Sequence, residues 1–346
     1  MSATAVEPRV EPDALESATL SYREALRLAL REEMARDERV FLIGEEVGVF
    51  GGAYKVSAGL LEEFGPVRVI DTPIAEEGFL GAGVGAALLG ERPVVEVMTI
   101  NFLLVAVDQL VNHAAKVGAM FGGEVRCPLV IRTPGGGGNQ LTAQHSQSFD
   151  AWFAHVPGLK VVAPATPADA RGLLKAAIRD DDPVLVLEHL AIYKEKGQVS
   201  LDPEHLAPIG RAAVPRRGED VSLIAHGFAT VRALAVAERL GIDHGLSAEV
   251  VDLRSLRPPD METVTESVAR TNRAILVEEG WPSYGVTAEL AARIQHASFE
   301  DLDAPVERVG SAEVPLPYAK NLETAALPNE ERICEAVLAS LGISGR

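Results

Sequence analysis

An α/β protein built from two doubly wound domains in series is what the sequence predicts, and three observations predict it. Short apolar runs such as Val40-Phe41-Leu42-Ile43, Leu129-Val130-Ile131 and Val221–Ala225 read as strands buried on both faces, as parallel sheets require. Segments with helical spacing of apolar residues alternate with these runs, the pattern of an open sheet covered by helices. The alternation pauses once, over residues 193–219, and then resumes, so 346 residues divide into two units that can each bury a core.

Residues 1–18 are rich in Ala, Glu and Pro without periodicity and predict a disordered lead-in. The first domain is expected over 19–192. It opens at Ser21 and Glu24, a capping-box pair ahead of a helical face of Leu26, Leu30 and Met34. Strand Val40–Ile43 runs into Gly44-Glu45-Glu46, which puts Glu45 at a strand's carboxyl end. Val67–Ile70 is the next strand, and a turn through Pro73 leads into a helix with Glu76 at its start. Glycines 81, 83 and 85 inside that helix weaken it and predict a close neighbour. Their GxGxG spacing within a helix is not a dinucleotide fingerprint. Strand Val94–Met98, a helix over Asn101–Met120 and strand Leu129–Arg132 follow. Gly135–Gly138 suggests a phosphate cradle, but no Lys-Ser/Thr follows, so a flexible loop rimming a site is the reading kept. Strand Lys160–Ala163, a helix opened by Thr166-Pro167 and Asp169, and strand Val184–Leu187 complete this sheet.

Residues 193–219 predict a linker and 220–346 a second domain. Its strands are expected at Val221–Ala225, Glu249–Asp252, Ala274–Glu278 and Val306–Val309. Helices are expected near Thr230–Leu240, Asp260–Thr271, Val286–Gln295 and Asn329–Leu341.

Composition narrows function by exclusion. A net charge of −18 argues against binding nucleic acid or an anionic membrane, and favours solubility or a basic protein partner. Two distant cysteines, Cys127 and Cys334, give neither a disulfide framework nor a zinc site. No apolar run reaches bilayer length, and the acidic N-terminus suits neither a signal nor a transit peptide. The cytoplasm is the expected location.

Candidate site residues come from position. Glu76 and Glu45 both sit at strand carboxyl ends, where open parallel sheets bind ligands. Burial there would let an acid hold or share a proton, although on position alone an acid serving the helix dipole, or a solvated loop acid, is the commoner case. Among eight histidines, His145 stands out because it lies in the polar run Ala143–Ser148 after the glycine loop. Asp180-Asp181-Asp182 crowd a helix carboxyl end and would sit more easily with a cation, though surface acids are the commoner case.

These stretches carry a resemblance. Phe-Leu-Ile-Gly-Glu-Glu-Val (41–47), Asp-Thr-Pro-Ile-Ala-Glu (71–76), Asn-Phe-Leu-Leu-Val-Ala-Val-Asp-Gln (101–109), Ala-Gln-His-Ser-Gln (143–147), Pro-Gly-Leu-Lys-Val-Val (157–162) and Glu-Glu-Gly-Trp-Pro (278–282) match, in order, motifs of one family. The chain resembles the beta subunit of thiamine-diphosphate-dependent 2-oxo acid dehydrogenases of the pyruvate dehydrogenase type. The resemblance implies a pyrimidine-binding domain followed by a smaller transketolase C-terminal-like domain. It implies that Glu76 is the acid at the aminopyrimidine ring nitrogen, that Phe102 stacks on that ring, and that Ile74 and Met98 line the pocket. Glu45 becomes a second acid near the first, and His145 the histidine that handles protons or acyl transfer. Leu129, Ala177, Asp180 and Asp182 match a monovalent-cation (potassium) site of some members, although Asn is common where Asp182 stands.

One absence matters as much. The chain contains no Gly-Asp-Gly and no Asn-Asn, the motif that holds the diphosphate through magnesium in this superfamily. The resemblance therefore implies half a cofactor site, completed by an alpha subunit in a two-alpha, two-beta tetramer that docks on a lipoyl-bearing dihydrolipoyl acyltransferase core. Pyruvate is the favoured substrate, with acetoin and branched-chain 2-oxo acids as open alternatives. A non-catalytic assembly subunit is the reading of another class.

Overall fold

The computed structural model describes residues 16–343. Of the stretch expected as a lead-in, residues 1–15 lie outside the described residues, while Ser17 and Ala18 already belong to strand β1 (Ser17–Ser21). Helix α1 (Tyr22–Arg36) begins as its sequence predicts. Ser21 accepts from the Glu24 N–H, the Glu24 carboxylate returns to the Ser21 N–H at 2.8 Å, and Leu26, Leu30 and Met34 are buried.

The first sheet is then laid down by β2 (Val40–Gly44), helix α2 (Leu60–Phe64), β3 (Val69–Asp71), α3 (Glu76–Leu88) and β4 (Arg92–Glu96). α4 (Ala115–Met120), β5 (Val130–Gly135), α5 (Asp150–Ala154), β6 (Lys160–Val162), α6 (Pro167–Arg179) and β7 (Val184–His189) follow. The predicted helix over 101–120 is helical throughout but not one α-helix: a 3₁₀ turn at Phe102–Ala106 and a π-helical stretch at Gln109–Ala114 precede α4. Such windings occur at functional positions.

The expected linker, 193–219, holds β8 (Lys196–Ser200), which pairs antiparallel with β1, and β9 (Ala213–Arg216), which joins the second sheet. The second half adds β10 (Val221–Ala225), α7 (Phe228–His244), β11 (Ala248–Asp252), β12 (Ser255–Arg257), α8 (Met261–Thr271), β13 (Ala274–Val277), α9 (Val286–Ala297), β14 (Glu307–Val309), α10 (Lys320–Ala326) and α11 (Glu330–Ser340).

Two sheets carry the molecule. The order β12-β6-β7-β5-β4-β2-β3 is parallel except for β12, and β14-β13-β10-β11-β9 is parallel except for β9. Strand β7, expected to complete the first sheet, is interior to it; β6 and then β12, contributed by the second half, extend the edge. The halves also share apolar core, since Ile131, Leu159 and Val161 fall in one cluster with Ile224, Leu253, Leu256 and Val264. A buried polar link spans them too, His226 Nε2 to Asp150 at 3.1 Å. No helix among the described residues is long and apolar enough to cross a membrane.

α3 shows what its glycines are for. A Cβ on Gly83 would lie 2.6 Å from Val95 Cγ2, so glycine lets the helix lie directly on β4, whereas nothing lies within 4 Å of one on Gly85. The close neighbour expected for all three is therefore a strand at Gly83, the Gln109 side chain at Gly81, and none among the described residues at Gly85.

Candidate active site

β2 and β3 are adjacent parallel strands, with Gly44 opposite Asp71, and their carboxyl ends bring the two predicted acids to one edge. Glu76 is the first residue of α3 and is only 7 % exposed. Ile74, which the resemblance places in the pocket wall, is 83 % exposed, because it stands in the turn outside the strand; Phe79 on the helix is buried. Glu45 follows β2 on a loop held from below. Asp71 accepts from the N–H groups of Gly48 at 2.6 Å and Val49 at 3.0 Å, and Ser57 Oγ donates to Val47 O at 2.6 Å.

Glu45 is electrostatically coupled to Glu76. Burial, then the charges of Glu76 and Glu46, push the Glu45 carboxyl above its usual range. Its Oε1 is buried without a hydrogen-bond partner, and a buried lone acceptor of this kind calls for an incoming donor. An open cleft of about 570 Å³ lies beside Glu76, lined by Ala75, Gly78, Gly81, Val105 and Gln109. A larger cavity of about 960 Å³ lies between the halves near Trp152 and Trp281, and none of Glu45, Glu76, Phe102 and His145 lines it.

Phe102 starts the 3₁₀ turn directly after Asn101. Asn101 Oδ1 accepts from Gln147 N at 3.2 Å and Gln147 Nε2 at 3.1 Å, which draws the polar run 143–148 over this turn. The consequence is a contact between two residues 43 positions apart in sequence: the Phe102 and His145 rings meet edge to face at 5.3 Å, 87° between planes. Met98, just beyond β4, is half-buried. The fold thus gathers two acids at one sheet edge and, separately, an aromatic ring against an imidazole.

Comparison with known proteins matches these halves separately. Residues 18–195 match the family model "Transketolase, pyrimidine binding domain" and residues 210–333 match "Transketolase, C-terminal domain". The pyruvate dehydrogenase E1 component subunit beta of Rhizobium meliloti is 49% identical over 328 residues, covering 95% of this chain and 71% of that protein. The beta-1 subunit of rice, Oryza sativa, is 52% identical over 320 residues, 92% of this chain and 85% of that one. The Rickettsia conorii subunit is 50% identical over 318 residues, 92% and 97% of the two chains. This chain belongs to the pyruvate dehydrogenase E1 beta family. A solved structure, "Split gene transketolase, inactive beta4 tetramer", superposes with a TM-score of 0.73 at 23% identity, covering 94% of this chain and 99% of that one, and attests the shared fold.

Within this E1 beta chain the residues expected to hold a monovalent cation are occupied by other partners. Lys160 Nζ sits 2.8 and 2.7 Å from the two Asp180 oxygens and 3.1 Å from Asp182 Oδ2. Arg126 also pairs with Asp182 at 3.0 Å. Arg92 donates to Ile178 O at 3.0 Å and Asp180 O at 2.9 Å, closing the carboxyl end of α6. Leu129 and Ala177 are buried, and their carbonyls accept from Val184 N at 2.9 Å and Asp180 N at 3.2 Å.

Sequence reading missed a buried ionic network in the same sheet. Arg132 on β5 pairs with Glu96 on β4, and with Glu188 on β7 at 2.8 and 2.6 Å; Tyr193 hydroxyl donates to Glu188. All three charged residues are at most 4 % exposed. The signal was available: Arg132 and Glu188 each follow an apolar run, Leu-Val-Ile-Arg and Leu-Val-Leu-Glu, and Glu96 interrupts one, Val-Val-Glu-Val-Met.

Proposed function

We propose that this chain is the beta subunit of a thiamine-diphosphate-dependent 2-oxo acid dehydrogenase acting on pyruvate, catalytic only with an alpha subunit. The observation that carries the reading is the pair of buried acids that follow adjacent strands, Glu45 with an unpartnered oxygen and Glu76 lining an open cleft. These residues fit the pyrimidine half of the cofactor. When bound, thiamine diphosphate supplies the nucleophilic carbon that attacks a 2-oxo carbonyl. Glu76 holds a proton at the aminopyrimidine ring nitrogen, Glu45 keeps a second proton site beside it, and Phe102 covers the ring face. Met98 and Ile74 give apolar walls, and the exposure of Ile74 suits a wall completed by another chain. His145 holds or moves a proton on the acyl side.

The diphosphate and magnesium belong to the alpha subunit in this reading, because this sequence contains neither Gly-Asp-Gly nor Asn-Asn. Two alpha and two beta chains form the tetramer, and a lipoyl-bearing acyltransferase core takes the acyl group. A potassium ion at Leu129, Ala177, Asp180 and Asp182 is part of the proposal. The domain limits are 19–192 and 220–346, and the location is the cytoplasm, although plant and animal relatives carry "mitochondrial" in their names. The names of the relatives favour pyruvate over acetoin or a branched-chain acid. An assembly-only subunit is disfavoured by the joint presence of Glu76, Phe102 and His145.

The test is co-expression with the alpha-type chain and an artificial-acceptor assay with pyruvate, 2-oxoisovalerate and acetoin in parallel. Preference for pyruvate is expected. Turnover of one of the other two alone would move the substrate assignment, and a cofactor-loaded complex inactive on all three would favour the assembly reading.

A further inference from the structure

The glycine run that ends β5 is an anion cradle after all, and the anions are the protein's own. Gly136, Gly138, Gln140 and Thr142 have positive φ, at 82°, 88°, 55° and 68°. Such kinks turn N–H groups toward a common side, the arrangement that binds anions elsewhere. Here two carboxylates from the second half fill it. Glu279, just after β13, accepts from Gly137 N at 2.5 Å; Glu323, on α10, accepts from Gly138 N at 3.0 Å and from Gln140 N at 3.1 Å. Glu323 is 2 % exposed, so its carboxylate is committed to these donors.

Apolar contact closes the same joint. A Cβ on Gly137 would lie 2.7 Å from Leu316 Cδ1 and 3.1 Å from Leu327 Cδ2, and on Gly136 it would lie 2.0 Å from His189 Nε2. Glycine is therefore required for the approach. His189 completes the clamp: its Nδ1 accepts from Ala191 N at 3.2 Å, which leaves the proton on Nε2, 3.1 Å from both Glu279 oxygens. Burial opposes the Glu279 charge, but His189, the Gly137 N–H and Arg232 hold its carboxyl down to about 2.

The loop from Gly136 to Gln147 is held at its neck by the first half, where Gly136 N donates to Gln147 O at 3.3 Å and Gln147 to Asn101. From the second half come the two carboxylates, the Tyr318 carbonyl, which accepts from Gln140 Nε2 at 3.4 Å, and the close approach of Leu316 and Leu327 to Gly137. His145 lies between these anchors, against Phe102. We propose that Glu323 and Glu279 are positioning residues through which the second half fixes this loop, and with it His145, for acyl transfer. This rests on the role given to His145 above. Without the clamp a loop that opens with three glycines regains backbone freedom, and displacement of a reacting group by ~1 Å costs on the order of 100-fold in rate.

The experiment uses the assembled alpha–beta complex carrying Glu323→Ala, Glu323→Gln or His145→Ala. Two rates are compared, acyl transfer to a lipoyl domain and reduction of an artificial acceptor with the same 2-oxo acid, together with amide hydrogen exchange over 136–147. Glu323→Ala is expected to speed loop exchange by about 10–100-fold, as loss of hydrogen bonds to a charged group implies. It is also expected to slow acyl transfer by a similar factor while leaving artificial-acceptor turnover nearly unchanged. Glu323→Gln keeps one good acceptor and should recover part of both effects. Unchanged loop exchange in Glu323→Ala, or an equal fall in both rates, overturns the proposal. Full acyl transfer by His145→Ala overturns the catalytic part through His145 itself, and is told apart from a failed clamp because loop exchange would still respond to Glu323→Ala.

Discussion

The edge-to-face contact of Phe102 with His145, 5.3 Å between ring centroids, joins the residue proposed to cover the aminopyrimidine to the residue proposed to serve the acyl group. Neither could be placed by its own neighbours in sequence; the pairing of Asn101 with Gln147 makes the contact. Stacking of an aromatic side chain on a base-like ring contributes about 1–3 kcal/mol. Phe102→Ala in the assembled complex should therefore weaken thiamine diphosphate binding about 10–100-fold, read by calorimetry. Unchanged affinity would remove Phe102 from the site.

Glu45 sets a pH dependence. Its carboxyl is raised in the folded chain by burial and by the Glu76 and Glu46 charges. The folded state then binds more protons than the unfolded one between the ordinary carboxyl value and the raised one, so stability falls as pH rises through that window. Glu45→Gln removes this cost. Its melting temperature should exceed that of the parent at neutral pH, and the difference should vanish at about pH 4 and below, where both states are protonated. A difference that persists at low pH would show that the carboxyl charge is not the cause.

Arg132 stands between two carboxylates in the sheet interior, Glu96 and Glu188, and is their one cationic partner among the described residues. Removing it leaves two buried acids without their cation. Arg132→Ala should cost about 3–5 kcal/mol by denaturant unfolding, the usual penalty for breaking a buried pair. Arg132→Lys should cost less while losing the two-pronged grip on Glu188, since an ammonium cannot reproduce a planar fork. A loss under about 1 kcal/mol in the alanine variant would show the network to be well hydrated.

The legible part of this fold was the part encoded locally. The Ser21–Glu24 cap, the Thr166–Pro167 helix start and the apolar strands β2, β10 and β13 are each dictated by residues within a few positions. Glu76 was placed correctly at a helix start because strand, proline turn and glycine helix are consecutive. What could not be read was anything decided by distant chain. β12 reads as a loop until β6 offers it an edge, and β8 and β9 lie in a stretch with no periodicity, because each forms against a partner far away in sequence. The glycine loop was read as flexible because the carboxylates that fix it, Glu279 and Glu323, lie 142 and 185 positions beyond their glycine partners. The aspartates 180–182, in the turn after α6, looked short of a cation because Lys160 lies on β6, some 20 positions earlier.

Half of the thiamine diphosphate site, with Glu76 as its acid, is the central claim. The most direct measurement is steady-state turnover of pyruvate with thiamine diphosphate, magnesium and an artificial acceptor, for the lone chain, the alpha–beta complex, and the complex carrying Glu76→Gln. The account predicts no turnover by the lone chain, turnover by the complex, and a fall of roughly 10²–10⁴-fold in the variant, the range for loss of a general acid. Turnover by the lone chain, or a Glu76→Gln complex as fast as the parent, would contradict it.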